Sequence, residues 1–268
     1  MAEILKINDL TYEIENKTFF KNFNLTVEKN KITSIIAPNK SGKTMLTKII
    51  SAIIPTDNLI TLEDITLNKK SVLNYIAKIG IVTNDFNNQF LFKKVKEELA
   101  FPLTNLGYSE KNINKAITKA SEYFEIENLL NKNIDTLTLD EKSKLTIVLA
   151  LIHEPKLLIL DDAFLNLLPD TKVFMLNKLK DLNKHGLTIL NITSDLETTF
   201  FSDRILVLNN FTIEMEGTKE EIYESDSYLR KIGITIPFII DLSLKLKFYN
   251  LIDKIYYSLE NLEEDLWK

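Results

Sequence analysis

Eight residues in the first fifth of the chain, Ala37-Pro38-Asn39-Lys40-Ser41-Gly42-Lys43-Thr44, have the types and spacing needed to grip a chain of phosphates. An apolar run, Ile32 to Ile36, precedes them and reads as a buried strand. Met45 to Ile54 follows, with Leu46, Ile49, Ile50 and Ile53 at helical spacing. A strand, a loop ending Ser-Gly-Lys-Thr and a helix form a P-loop. In such a loop backbone N–H groups and the helix N-terminus surround phosphate oxygens. Asn39, Lys40, Ser41 and Gly42 line the loop, Lys43 reaches the β- and γ-phosphates, and the Thr44 hydroxyl is placed to ligate Mg²⁺. Ala37 stands where the usual pattern has its first glycine. The spacing predicts a nucleoside triphosphate, with Mg²⁺, as the ligand.

A second constellation supports the first. Leu157 to Leu160 is a continuous apolar run that ends in Asp161 and Asp162. Downstream of a P-loop, the first acid of such a pair holds the Mg²⁺ water shell and the second faces the attacking water. Asp161 is therefore a metal candidate and Asp162 a catalytic one. Tyr12, on a strand of the N-terminal segment, is a candidate to stack on adenine, with a half-buried strand tyrosine as the alternative. His153, before Pro155, and His185, before Gly186, read as helix-end residues interacting with the dipole.

Composition sets outer bounds. The chain has 268 residues, 45% of them apolar, and a net charge of -5. That charge gives no basic footprint for nucleic acid. The absence of cysteine excludes disulfides, thiolate metal sites and cysteine nucleophiles. No N-terminal stretch reads as a signal peptide. The longest apolar run, Ile147 to Ile152, is too short to span a bilayer, so any membrane role must come through a partner.

The elements that must position these residues follow from periodicity and punctuation. Ile4–Ile14 and Phe23–Val27 read as strands around a polar turn, Leu59–Leu67 as strand-like, and Ile79–Val82 as a compact strand. Lys93 to Leu130 reads as helical, punctuated by Pro102 and Gly107, with Ser109 and Asn112 as a cap. Thr138-Leu139-Asp140-Glu141 is a Thr-x-x-Glu capping box opening a helix that is apolar nearly all round. Pro169–Lys184 reads as a helix and Leu187–Thr193 as a buried strand. Ile205–Leu208 and Phe211–Met215 pair as a hairpin around Asn209-Asn210.

In this order the motifs resemble an ATP-binding-cassette (ABC) subunit, more narrowly the ATPase of energy-coupling factor transporters, over essentially the whole length. Besides the P-loop and Leu157–Asp162, the resemblance rests on Asp85-Phe86-Asn87-Asn88-Gln89-Phe90 and Glu216-Gly217-Thr218-Lys219-Glu220-Glu221-Ile222. Leu229-Arg230-Lys231-Ile232-Gly233, Pro237-Phe238 and Leu259-Glu260-Asn261-Leu262-Glu263-Glu264 complete it. It implies an α/β P-loop core with an antiparallel β-subdomain and a helical subdomain at roughly 85–152, together spanning 1–216. A C-terminal dimerisation region spans 217–268. It also implies a head-to-tail pair with a second ABC ATPase, a transmembrane coupling subunit, a substrate-binding membrane protein, and a peripheral place on the cytoplasmic face of the membrane.

The resemblance also locates departures. Leu137-Thr138-Leu139-Asp140-Glu141 stands at the LSGGQ signature, leaving Thr138 as the hydroxyl that would meet the partner's nucleotide. Asn84 stands at the Q-loop glutamine, a nucleotide and metal contact, Asp162 at the catalytic glutamate, and Ser194 at the switch histidine. Leu168 replaces the D-loop aspartate, and the adenine-stacking aromatic falls on Ile14, with Tyr12 two residues earlier. Asp162 and Asn84 are each a methylene short, a retreat of about 1.5 Å, and about 1 Å of misplacement can cost ~10²-fold in rate. Leu139 adds bulk and Asp140 and Glu141 add charge where a phosphate should approach. The expectation is an ATP-binding subunit with weak or absent hydrolysis, paired in a heterodimer that drives uptake of a vitamin or other micronutrient. A soluble non-transport cassette ATPase and a pseudo-ATPase scaffold are the alternatives.

Overall fold

The computed structural model describes residues 2–15, 17–83 and 90–267. Among them two sheets organise the chain. The smaller is antiparallel: β1 (Glu3–Ile14) pairs with β2 (Lys17–Glu28) on one side and with β4 (Ile60–Leu62) on the other, and β4 continues to β5 (Ile65–Thr66). The larger is mostly parallel and includes β3 (Ile32–Ile36), β6 (Ile79–Thr83), β7 (Leu157–Asp161), β8 (Thr188–Thr193), β9 (Arg204–Asn209) and β10 (Thr212–Gly217). Its order is β10-β9-β3-β8-β7-β6, with only β10 antiparallel to its neighbour.

The order explains the composition of the strands. β3, β7 and β8 lie inside the sheet, and every residue of each is buried. Burial on both faces removes the alternation of a half-exposed strand, most plainly in the apolar run of β7, while β3 and β8 also bury Thr33, Ser34, Thr188 and Asn191. In register, Ile36 pairs with Thr193 and Asp161 with Ile192, so the C-terminal ends of β3, β8 and β7 finish level. Open α/β sheets bind ligands at that edge.

Helices cover the sheet. α1 (Lys43–Ile50) starts directly after the P-loop and buries Leu46, Ile49 and Ile50. After α2 (Val72–Ile76), α3 (Val95–Asn105), α4 (Glu110–Phe124) and α5 (Leu139–Leu151) share a core with α6 (Pro169–Lys184). Pro102 lies inside α3, so the chain turns at Gly107 and not at the proline. Ser109 accepts from the Asn112 N–H at 3.4 Å, and the Thr138–Glu141 capping box forms as its sequence predicts. α7 (Lys219–Glu224), α8 (Asp226–Lys231), α9 (Phe238–Phe248) and α10 (Leu259–Leu266) complete the chain.

Three local readings are corrected. Leu59–Leu67 is not one strand: Glu63, in the left-handed region at φ 51°, turns the chain between β4 and β5. Phe211 is a turn residue rather than the start of a strand, because Asn210 and Phe211 both take positive φ (46° and 64°). Two such residues give the hairpin turn whose twist matches its strands. The Nε2 of His153 lies 3.1 Å from the carbonyl oxygen of Ile79 on β6, so this ring joins helix to sheet instead of capping its own helix. His185 does sit on its helix end, with Nδ1 2.8 Å from the Asp181 carbonyl.

Candidate functional site

The P-loop lies between β3 and α1. Its amides are directed by two left-handed residues, Lys40 at φ 66° and Gly42 at φ 109°. Gly42 is the residue type this position requires on two counts. Its φ is costly for any side chain, and a Cβ there would stand 2.5 Å from Cδ1 of Phe211. The loop is held from behind as well: Ala37 N–H donates to the Thr193 carbonyl at 2.9 Å, and Phe211 N–H donates to the Ser41 carbonyl at 3.0 Å.

What remains open at the loop is suited to an anion. Gly42 is the N-cap of α1, no side chain caps that helix, and its first turn holds no acid. The N–H groups of a first turn have no partner within their own helix. Ser41 Oγ is buried without a hydrogen-bond partner. A buried hydroxyl left unpaired, uncapped amides and a nearby lysine fit a phosphate group. Asn39, Lys40 and Thr44 are exposed on the loop and at the helix start.

Lys43 and Asp162 form the centre of the site. Lys43 Nζ lies 2.7 Å from Asp162 Oδ2, with side-chain exposures of only 7% and 12%. The other oxygen, Oδ1, accepts from the Ser194 N–H at 3.0 Å and from its hydroxyl at 3.4 Å. Asp162 sits at φ 48°, a left-handed position that Asp tolerates better than most residues, and its own N–H donates to the Ile192 carbonyl at 2.9 Å. Asp161, one residue earlier at the end of β7, is buried. Its carboxyl is pushed up to about 6, first by burial and then by the adjacent Asp162 charge.

The structure thus brings Lys43, Asp162 and Ser194 into one bonded group, with Asp161 and the loop beside it. Tyr12 is half-buried on β1 in register with Phe20, whose ring packs on Phe211 against Gly42. Asn84 lies outside the described residues, as does the 85–89 motif. Thr138 belongs instead to the start of α5. Its hydroxyl accepts from the Glu141 N–H at 3.1 Å, and Glu141 Oε2 accepts from the Thr138 N–H at 2.9 Å. The Glu141 carboxylate is held below its usual range, by the Thr138 N–H first and then by Lys132, whose Nζ is 3.0 Å away.

Two features went unread in the sequence. The Phe19–Phe20–Phe211 cluster behind the loop comes from elements nearly two hundred residues apart. Asp140 does not stand free at the helix start. Its Oδ1 accepts from the Leu168 N–H at 2.7 Å and its Oδ2 from the Thr171 hydroxyl at 2.9 Å, so it caps α6 from another element. Leu168 as N-cap of α6 has no capping side chain of its own, the one local signal that an outside acceptor was needed.

A P-loop on an inner parallel strand, paired acids two strands away and a four-stranded antiparallel sheet beside them define an ABC-type nucleotide-binding fold. The comparisons agree. The ABC transporter family model matches residues 20–165. The energy-coupling factor transporter ATP-binding protein EcfA1 of Mesomycoplasma hyopneumoniae (strain J) is 30% identical over 270 residues, covering 99% of this chain and 98% of that protein. The EcfA1 of Geobacillus kaustophilus is 29% identical over 273 residues, covering 100% and 98%. Among solved structures, cbiO1 of Clostridium perfringens, part of the ABC transporter complex cbiONQ, superposes with a TM-score of 0.76 at 25% identity, covering 90% of this chain and 99% of that one. The chain belongs to the ABC transporter family and, within it, to the ATP-binding proteins of energy-coupling factor transporters. Membership implies ATP as the nucleotide. Among the described residues no helix is long and apolar enough to cross a membrane.

Proposed function

We propose that this chain is the ATP-binding, weakly hydrolysing half of a heterodimer of ABC ATPases that drives uptake of a vitamin or other micronutrient. Its partners are a second, more regular ATPase chain, a transmembrane coupling subunit and a substrate-binding membrane protein, at the cytoplasmic face of the membrane. Dimerisation involves residues 217–268. The observation carrying this reading is a contrast between two helix N-termini. That of α1 is uncapped and free of acids, whereas that of α5 is closed by a complete capping box and carries Asp140 and Glu141 in its first turn.

In this reading the Ser41 hydroxyl, the loop amides and Lys43 hold the phosphates, while Thr44, Asp161 and Asn84 hold Mg²⁺, which supplies charge neutralisation when bound. Tyr12 flanks the base. Among the described residues no group of three or more acids and histidines could hold a metal by itself, in keeping with an ion carried largely by phosphate and water oxygens. Asp162 is too short to orient a water at the distance a glutamate reaches, and its carboxylate is already shared between Lys43 and Ser194. Ser194 is neutral and cannot stabilise a developing phosphate charge as an imidazolium does. Thr138 and Glu141 satisfy each other, so the α5 start has little left to offer a partner's nucleotide.

The purified chain should bind ATP, lose most of that affinity in Lys43→Ala, and hydrolyse ATP at least ~10²-fold more slowly than a regular transporter ATPase. A rate in the regular range would sink the weak-hydrolysis reading. Binding unaltered by Lys43→Ala would sink the assignment of the loop. In the assembled complex, Leu139→Gly, which leaves the bonds of Asp140 to α6 in place, should raise turnover. Unchanged turnover would remove the role given to the α5 start.

A further inference from the structure

A series of hydrogen bonds, most of them charge-assisted, leads from the P-loop to the start of α5, with one step along the chain and one backbone bond within α6. Lys43 bonds Asp162 at 2.7 Å, and Asp162 accepts from the Ser194 N–H at 3.0 Å. The next residue, Asp195, holds Lys172 of α6 with Oδ2 2.5 Å from Nζ, and Glu197 adds a second carboxylate at 3.2 Å. Lys172 is only 17% exposed, and its own N–H donates to the Leu168 carbonyl at 2.8 Å in the first turn of α6. That turn is gripped on its far side by Asp140, through the Leu168 N–H and the Thr171 hydroxyl.

We propose that Asp140 and Lys172 are positioning residues of a strut that couples this chain's own nucleotide loop to the start of α5. This rests on the reading that the loop binds ATP. The bistable link is the Lys43–Asp162 pair, because a lysine that turns to phosphate oxygens withdraws charge from Asp162. The Ser194 N–H is the other strong donor to that carboxylate, so the strain passes to the Ser194–Asp195 turn. The turn is anchored on Lys172, Lys172 on the first turn of α6, and that turn on Asp140. Linkage runs both ways. While the strut holds Ser194 against Asp162, part of the carboxylate's attraction is drawn off Lys43. Cutting the strut lets Asp162 grip Lys43 more firmly, and nucleotide must then compete with a stronger ion pair.

The test is a titration of the full-length chain with N-methylanthraniloyl-ATP, in wild type, Asp140→Ala, Thr171→Val, Lys172→Met and the Asp140→Ala/Lys172→Met double variant. Each single change at Asp140 or Lys172 should weaken binding about fivefold, the lower end of ordinary allosteric coupling. The double variant should be no weaker than the worse single, since both cut one strut. Lys172→Arg should restore affinity. Thr218→Ala, which removes a cap on α7 away from the strut, should leave it unchanged. Hydrogen exchange supplies a second readout: ATP should alter protection of the Leu139–Glu141 amides in wild type and leave it unaltered in Lys172→Met. Unchanged or tighter binding in the singles, additive losses in the double, or ATP-dependent exchange that survives in Lys172→Met overturns the coupling while ATP binding stands. A wild-type chain that takes up no nucleotide overturns both.

Discussion

Asp161, proposed above to hold Mg²⁺, shows what one buried acid costs the fold. Its carboxyl is buried beside Asp162 and raised to about 6, so near neutral pH the fold carries a charge it would be more stable without. The sign follows from proton counting. Between the ordinary aspartate value near 3.8 and about 6, the folded chain keeps a proton that the unfolded chain has released. Stability is therefore lost as pH rises through that window. Asp161→Asn should stabilise the isolated chain by roughly 1–3 kcal/mol at pH 7.5, with the gain shrinking towards pH 4.5. Urea denaturation at the two pH values reads it directly. A variant less stable than wild type at pH 7.5 would mean that the buried carboxylate is held by bonds worth more than its desolvation. The acid pair was legible in the sequence because a strand ending in two acids is a local pattern. The sharing of Asp162 between Lys43 and Ser194 was not, since it depends on β7 and β8 finishing level.

At the scale of elements, the hairpin of β9 and β10 acts as a backing for the P-loop. Its turn places Phe211 in the left-handed region at φ 64°, with the ring edge-on to Phe19 and Phe20 and close to Gly42. Phe211→Ala removes the ring and keeps the backbone strain. Phe211→Gly removes both, and a left-handed residue with a side chain costs roughly 1 kcal/mol more than glycine. Both variants should be less stable than wild type, with the glycine variant the better of the two by about that amount in urea unfolding. The reverse order would show that the strain is small and that the packing alone matters. Both variants should also loosen the loop and weaken ATP binding. Periodicity revealed the hairpin but assigned Phe211 to the strand, because an aromatic residue between strand-like neighbours gives no sign of positive φ. The α5 cap, by contrast, was readable to the residue, since all of its donors and acceptors lie within four positions.

Across the whole molecule, the last fifty residues have two unlike sides. Ile222, Tyr223, Leu229, Ile234 and Ile240 join a core with Ile36, Leu196, Ile205 and Val207, which ties the tail to the strands that carry the nucleotide loop. Leu242 and Leu246 of α9 pack on Ile252, Tyr256 and Leu262. Phe248 (80% exposed), Tyr249, Leu251 and Trp267 (88% exposed) remain outside. Phe248 and Tyr249 pack edge to face at the surface, and these exposed residues lie on the region proposed for dimerisation. Replacing Phe248 and Trp267 together with serine should leave the fold and the ATP affinity of the isolated chain within about twofold of wild type, because neither side chain is buried. The same variant should recover much less of the second ATPase when the complex is purified from membranes. Undiminished recovery would move the dimer contact to a different set of exposed leucines, Leu139, Leu165 and Leu168, near Asp140 in the chain or bonded to it. Pairing would then be governed by the same corner that couples to the nucleotide loop, and Asp140→Ala should impair both together.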